Sequence, residues 1–302
     1  MTPALPRPNV FVVGDAKCGT TTLYRMFELA EGVGTSRTRK ELHYFTAPEL
    51  TAKTAGPGDE RIPRAIVHDE AGYLAEFAQL PPGLPVIADV SPSYLQEPAA
   101  AERIAAFAPD ARIVILLREP AAKIFSQYVH LWAEGRETLP FAEAFEASLA
   151  RREAGFSTMF DYEAGGRYAE AVGRYLDRFG RDRVQVVLFE EMFDGGEAAR
   201  RGLEDFLGIG FAKGPPPRMN VGGRVKSPLL AAILDNDALR GRVKRLFPLP
   251  LRTRLGQAIR RRVPTEKPEL DPATAARLRR HYREDTLRLE ALLSRETGWP
   301  AA

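Results

Sequence analysis

Four short apolar runs alternate along the chain with segments in which apolar residues recur every three or four positions. The runs occupy residues 9–13, 85–90, 112–117 and 183–189. The third run, Arg112–Leu117 (RIVILL), is apolar at every position after the first. Uninterrupted runs rich in β-branched residues are typical of strands that are covered on both faces, as in a parallel sheet. The pattern therefore predicts four buried strands.

Helical periodicity follows each of these runs. After the first run, Leu23, Met26, Phe27 and Ala30 recur at helical spacing, and further helices are predicted at residues 99–108, 120–132, 141–152, 168–179, from 190 to 207, and 272–295. Residues 46–64 are rich in Pro, Gly and Thr, which predicts a loop. Strands that alternate with helices of this length indicate βαβ units. We predict an α/β fold with three layers, in which helices flank a central, mostly parallel sheet.

Composition narrows the class of protein. The 302 residues are 44% hydrophobic and 27% charged, which are ordinary globular values and exclude a disordered, collagen-like or coiled-coil protein. A single cysteine, Cys18, excludes an internal disulfide framework. The four histidines lack the H-E-x-x-H spacing of zinc proteases. No leader peptide or membrane-spanning stretch is recognisable, so we expect a cytoplasmic location.

A glycine-rich turn between the first strand and the first helix carries the most chemistry. Residues 14–22 (GDAKCGTTT) combine two glycines, one lysine and three threonines. Such a turn converges backbone N–H groups at a helix N-terminus, which makes it an anion site of P-loop-like character. The lysine stands at position 17, whereas the loop of nucleotide triphosphatases has lysine directly after the second glycine. An ordinary turn with a threonine cap is the alternative interpretation.

These residues resemble a known family. Lys17, Gly19, Thr20 and Thr21 look like the 5′-phosphosulfate loop of sulfotransferases that use 3′-phosphoadenosine 5′-phosphosulfate (PAPS). Arg118 after the third predicted strand, with Ser126 eight residues later, resembles the family's 3′-phosphate signature. The segments at residues 40–45 (KELHYF), 89–94 (DVSPSY) and 126–130 (SQYVH) resemble the heparan-sulfate branch, the carbohydrate-type enzymes and their bacterial relatives. The resemblance covers residues 9–228 and the final helix.

The resemblance implies roles for individual residues. Lys17 would stabilise the oxygen that bridges sulfur and phosphorus, and the donor phosphates would be held by Cys18, Gly19, Thr20, Thr21, Thr22, Arg118 and Ser126. Arg224 and Lys226 lie in a segment that relatives use as a basic loop over the nucleotide, although their spacing differs here. No metal is required. Glu41 is the first choice for the general base, and His43 and His130 are competitors.

A basic segment near the C-terminus has several interpretations. Residues 240–267 contain ten basic residues and one acid. It is interpreted as a solvated face, as a surface that attracts an acidic acceptor such as a glycan, or as a surface that contacts an anionic membrane. Nucleic-acid binding is not expected, because Phe247 is the only aromatic residue there that could stack on a base.

The sequence thus predicts a nucleotide-binding transferase. The expected domain is single, spanning residues 1–302, with a PAPS-binding core at 9–228 and a basic variable segment with a C-terminal helix at 229–302. The expected reaction is sulfuryl transfer from PAPS to a hydroxyl or amine of a carbohydrate or small metabolite. The alternatives are a P-loop-type ATP-dependent kinase and a catalytically inactive protein that binds a nucleotide or a membrane.

Overall fold

A parallel sheet of five strands forms the core of the chain. The computed structural model describes residues 6–194, 197–212, 214, 224–225 and 265–301. The strands of the sheet are β1 (Val10–Gly14), β2 (Val33–Thr35), β3 (Val86–Val90), β4 (Arg112–Leu117) and β5 (Val184–Leu188). They lie in the order β2-β3-β1-β4-β5. Val10 of the central strand pairs with Ala88 on one side and Arg112 on the other.

Helices connect the strands. They are α1 (Thr20–Glu28), α2 (Ala47–Ala52), α3 (Ile62–Ala65), α4 (Glu70–Ala75), α5 (Pro98–Phe107), α6 (Pro120–Ala133), α7 (Phe141–Glu146), α8 (Ser148–Glu153), α9 (Tyr162–Gly165), α10 (Ala169–Phe179), α11 (Phe189–Phe193), α12 (Glu197–Leu207) and α13 (Pro272–Leu293). Short 3₁₀ turns at Tyr44–Thr46 and Pro92–Tyr94 complete the connections that border the site.

The two faces of the sheet are covered by different helices. Phe11 and Val13 belong to a buried cluster that includes side chains of α5, α10 and α13. Val10 and Val12 belong to a second cluster, formed with α1 and α12. Successive strand residues point to opposite faces, so a strand buried at every position must be covered on both sides. The predicted three-layer α/β fold is confirmed.

Three local predictions were wrong. Residues 46–64, predicted as a loop, contain α2 and most of α3. Pro48 and Pro63 stand in the first turns of these helices, where proline is tolerated. The single helix predicted at 141–152 is two helices that meet at Ala147, and the helix predicted from 190 to 207 is also two, α11 and α12. Strand β2 was not predicted. The other four strands lie within about one residue of the predicted runs.

Tertiary contacts divide the chain into two compact units. The larger comprises Met1–Tyr128, Leu139–Asn220 and Leu270–Ala302 and contains the five-stranded sheet. The smaller comprises Val129–Thr138 and Val221–Glu269. Within it, strand β6 (Arg224–Val225) pairs antiparallel with β7 (Thr265–Glu266). None of the described helices is both long and apolar enough to span a membrane.

Candidate functional site

The turn between β1 and α1 is tight and closely packed. Gly19 precedes the first residue of α1 with a φ of 92°, a conformation that favours glycine. A Cβ at Gly19 would lie 2.3 Å from the Phe193 ring, so the packing here leaves no room for a side chain. Lys17 adopts a left-handed φ of 68°. Backbone at these angles turns successive N–H groups toward one side, as an anion site requires.

Lys40 connects this turn to the segment that carries the candidate base. Its Nζ donates to Thr20 Oγ1 at 2.9 Å and to Thr21 Oγ1 at 3.3 Å. The same Nζ donates to Glu41 Oε1 at 2.6 Å. The sequence indicated Lys40 only as part of a family-like segment, and its contact with the turn is a site feature that sequence reasoning missed. The structure therefore brings Glu41 next to the predicted anion site.

Glu41 and His43 form a hydrogen-bonded pair at this position. His43 Nε2 lies 3.4 Å from Glu41 Oε2, and His43 Nδ1 lies 2.9 Å from Ser93 Oγ. Burial opposes the charged form of Glu41, but hydrogen bonds from His43 and Lys40 and their charges outweigh it and lower the pKa of Glu41 to about 2. Glu41 is consequently a carboxylate at neutral pH.

Ser91 fixes the backbone of this segment. Its Oγ accepts hydrogen bonds from the backbone N–H groups of Leu42 at 3.0 Å and His43 at 3.3 Å. The hydroxyl donates in turn to Asp89 Oδ1 at 2.6 Å. Asp89 lies on β3 and is completely buried. The orientation of the base segment is thus set by a side chain that follows the neighbouring strand of the sheet.

Asp89 accepts three hydroxyl hydrogen bonds, which predicts a large contribution to stability. Its Oδ2 accepts from Tyr73 at 2.9 Å and Tyr94 at 2.8 Å, in addition to the bond from Ser91. Burial raises the pKa of Asp89, although these hydrogen bonds oppose the rise. Asp89→Ala would leave three buried hydroxyls without an acceptor, and we expect a loss of about 3–5 kcal/mol in urea unfolding. Tyr94→Phe, the control, should cost about 1 kcal/mol, and equal losses from the two variants would contradict the prediction.

Arg118 lies at the carboxyl end of β4, beside the turn. Its Nη1 donates to the Lys17 carbonyl at 3.4 Å, and its guanidinium lies 4.5 Å from the centre of the Phe189 ring. The Nε is buried and has no hydrogen-bond partner among the described residues. A partly buried guanidinium with an unused donor is suited to a phosphate group. Ser126 lies two turns into α6 and is partly exposed.

The remaining predicted residues are placed as follows. Cys18 is completely buried, and burial, followed by the nearby Asp15 charge, raises the pKa of its thiol to about 12, so it is not a nucleophile. Thr22 lies in the first turn of α1. His130 lies in the smaller unit, with Nε2 3.4 Å from Glu134 Oε1. The Arg224 backbone forms part of β6.

The other predicted features of the C-terminal part fall largely outside the described residues. Residues 226–264, which include Lys226 and most of the basic segment, lie outside the described residues. Within the described ranges, no group of three or more His, Cys, Asp or Glu side chains could hold a metal ion.

Comparison with known proteins identifies the family. Residues 8–213 match the model of the sulfotransferase family. The bifunctional heparan sulfate N-deacetylase/N-sulfotransferase 2 of Homo sapiens is 23% identical over 211 residues, which are 67% of this chain and 22% of that protein. The corresponding protein 1 of Caenorhabditis briggsae is 22% identical over 196 residues, 61% of this chain and 21% of that protein. The chain therefore spans about a fifth of the length of these relatives.

A solved structure covers nearly the whole chain. The sulfotransferase from Alicyclobacillus acidocaldarius superposes with a TM-score of 0.75 at 30% identity, and the match covers 96% of this chain and 97% of that one. The family model spans more than half of the residues. The chain belongs to the sulfotransferase family.

Proposed function

We propose that this protein transfers a sulfuryl group from PAPS to a hydroxyl or amine of an acceptor. The observation that carries the proposal is the position of Lys40, whose Nζ contacts both the anion turn and Glu41. A donor anion in the turn would therefore lie close to the Glu41 carboxylate, since one ammonium group contacts both the turn and Glu41. In-line transfer requires this arrangement of donor and base.

The donor side of the site fits PAPS. The backbone of residues 18–22 and the hydroxyls of Thr20, Thr21 and Thr22 would hold the 5′-phosphate, and Arg118 with Ser126 would hold the 3′-phosphate. The buried Arg118 Nε, which has no partner within the described part of the chain, supports this assignment. PAPS supplies an activated sulfuryl group, and Lys17 would stabilise the negative charge of the leaving phosphate. No metal ion is needed for these roles.

The acceptor side of the site rests on Glu41. Glu41 would take the proton of the attacking hydroxyl or amine, and His43 would orient the carboxylate through its Nε2 contact. His43 and His130 are the alternative bases. A carbohydrate or a small metabolite is the proposed acceptor, since two relatives are named as heparan sulfate N-sulfotransferases. Arg224 and Lys226 would close over the nucleotide, and residues 240–267 would attract an acidic acceptor or an anionic membrane.

Binding of the desulfated product, 3′-phosphoadenosine 5′-phosphate (PAP), tests the donor site. PAP at about 100 times its dissociation constant should stabilise the protein by about 2.7 kcal/mol, a rise of several degrees in Tm without added metal. Arg118→Ala should abolish most of this rise, because the unused guanidinium donor is lost. Differential scanning fluorimetry measures both.

A matched arginine variant provides the control. Arg183 directly precedes β5, at the amino ends of the parallel strands, whereas the anion turn lies at their carboxyl ends. It pairs with Asp110 at 2.9 Å. Arg183→Ala should keep the full PAP response. Stabilisation by ATP with magnesium, together with no response to PAP, would refute the proposal and favour a kinase.

A further inference from the structure

A buried ion pair connects the anion turn to helix α6. Lys123 Nζ is 3.2 Å from Asp15 Oδ2, and the two side chains are only 2% and 5% exposed. Asp15 directly follows Gly14 at the end of β1, and Lys123 lies in the first turn of α6. The pair therefore joins the turn to the helix that carries Ser126, three residues further along.

Both members of the pair are held by additional polar groups. Lys123 Nζ donates to Gln127 Oε1 and to the Gly165 carbonyl, each at 2.8 Å. Asp15 Oδ2 accepts from Gln96 Nε2 at 3.0 Å, and its Oδ1 accepts from the Ala16 N–H. The fit is close, because a Cβ at Gly165 would lie 2.9 Å from Lys123 Nζ.

The pair is unexpected on electrostatic grounds. A carboxylate in a turn that binds anions repels the ligand, and this repulsion is strong where water is excluded. A buried ion pair is also weak support for stability, since apolar residues of similar size often serve equally well. Neither a binding role for Asp15 alone nor a purely stabilising role for the pair accounts for the arrangement.

We propose that Asp15 and Lys123 are positioning residues, in which Asp15 orders the turn through Ala16 while Lys123 cancels its charge and anchors the turn to α6. The inference rests on the proposed donor site. Its consequence is that the two charges act on donor affinity with opposite signs. Loss of the Lys123 charge leaves a bare carboxylate beside the phosphates, whereas loss of the Asp15 charge leaves an additional cation.

Isothermal titration with PAP tests the sign. Lys123→Met should bind PAP about tenfold or more weakly than the wild type, and Asp15→Asn should bind it about tenfold more tightly. The double variant D15N/K123M should return to within about threefold of the wild type. If Lys123→Met does not fold, the comparison of Asp15→Asn with the double variant remains. Asp15→Asn should then bind about tenfold more tightly, because the double variant lacks the Lys123 cation.

Several outcomes would overturn the inference. Equal weakening by Lys123→Met and Asp15→Asn, or an Asp15→Asn variant that binds no better than the double variant, would leave the pair a structural role only. Arg103→Met breaks a different ion pair, with Glu49 at 2.7 Å, and should leave PAP affinity unchanged. A wild-type protein that does not bind PAP would refute the donor site itself, which separates the two failures.

Discussion

Replacement of Glu41 by Gln should lower kcat by about 10²- to 10⁴-fold, the range found when a positioned general base is lost. PAP affinity should not weaken. The neutral amide of the variant would bind the Lys40 ammonium less strongly than the carboxylate does, so Lys40 could still contact the donor phosphates. Steady-state kinetics with PAPS and titration with PAP separate the two effects. His43→Gln is the matched variant, and if His43 only orients Glu41, its loss should cost about tenfold in kcat.

The pH dependence distinguishes Glu41 from the histidines. With a pKa of about 2 in place of the ordinary 4.5, Glu41 stays ionised down to strongly acidic pH. An acid limb of kcat/KM well above pH 4.5 would therefore count against Glu41 as the base. The same shift affects folding, because a depressed folded-state pKa stabilises the protein above pH 4.5, and this contribution is lost between pH 4.5 and 2. Acid titration of stability in wild type and Glu41→Gln should show a shallower loss in the variant across that window.

Replacement of Lys17 by Met should lower kcat by about 10²- to 10³-fold, the cost of removing one group that stabilises developing charge. Methionine suits the test, because it has an unbranched side chain of similar length and makes a comparable demand on the left-handed backbone at this position. The affinity for PAP should fall much less than kcat, since backbone N–H groups and Arg118 would also bind the nucleotide in the proposed donor site. Single-turnover measurements with saturating PAPS give the chemical step directly.

Lys40 provides the comparison for Lys17. Lys40→Met should raise KM for PAPS more than it lowers kcat, because Lys40 contacts the threonine hydroxyls of the turn and the candidate base. Lys17→Met with a kcat within about threefold of the wild type would contradict the prediction and assign stabilisation of the leaving group to Lys40.

The parts of the fold that the sequence predicted are those with a strong local pattern. The four apolar runs are strands, because each is buried at nearly every position. Strand β2 has three residues with glycine at its centre, and it exists because β3 offers a partner, which no local pattern reveals. The prolines of residues 46–64 favoured a loop, although position within the first helical turn decides their effect.

The candidate site shows the same division. The glycine-rich turn, Arg118 and Glu41 could be selected because their residue types and spacing resemble a family pattern. The contacts of Lys40 with Thr20, and of Ser91 with the His43 N–H, join segments that are 20 and 48 residues apart. Such contacts follow from strand order, so they could not be predicted before the sheet was known.

The position of β1 in the sheet has a consequence for folding. The central strand comes first in the chain, and Val10 finds its two partners at Ala88 and Arg112, 78 and 102 positions later. Such separations carry a loop-closure entropy that must be overcome before the pairing is rewarded, and they slow folding. During synthesis, both edges of β1 stay unpaired until β3 has emerged, and one edge stays unpaired until β4 has emerged, so nascent chains that lack β4 should be prone to aggregation.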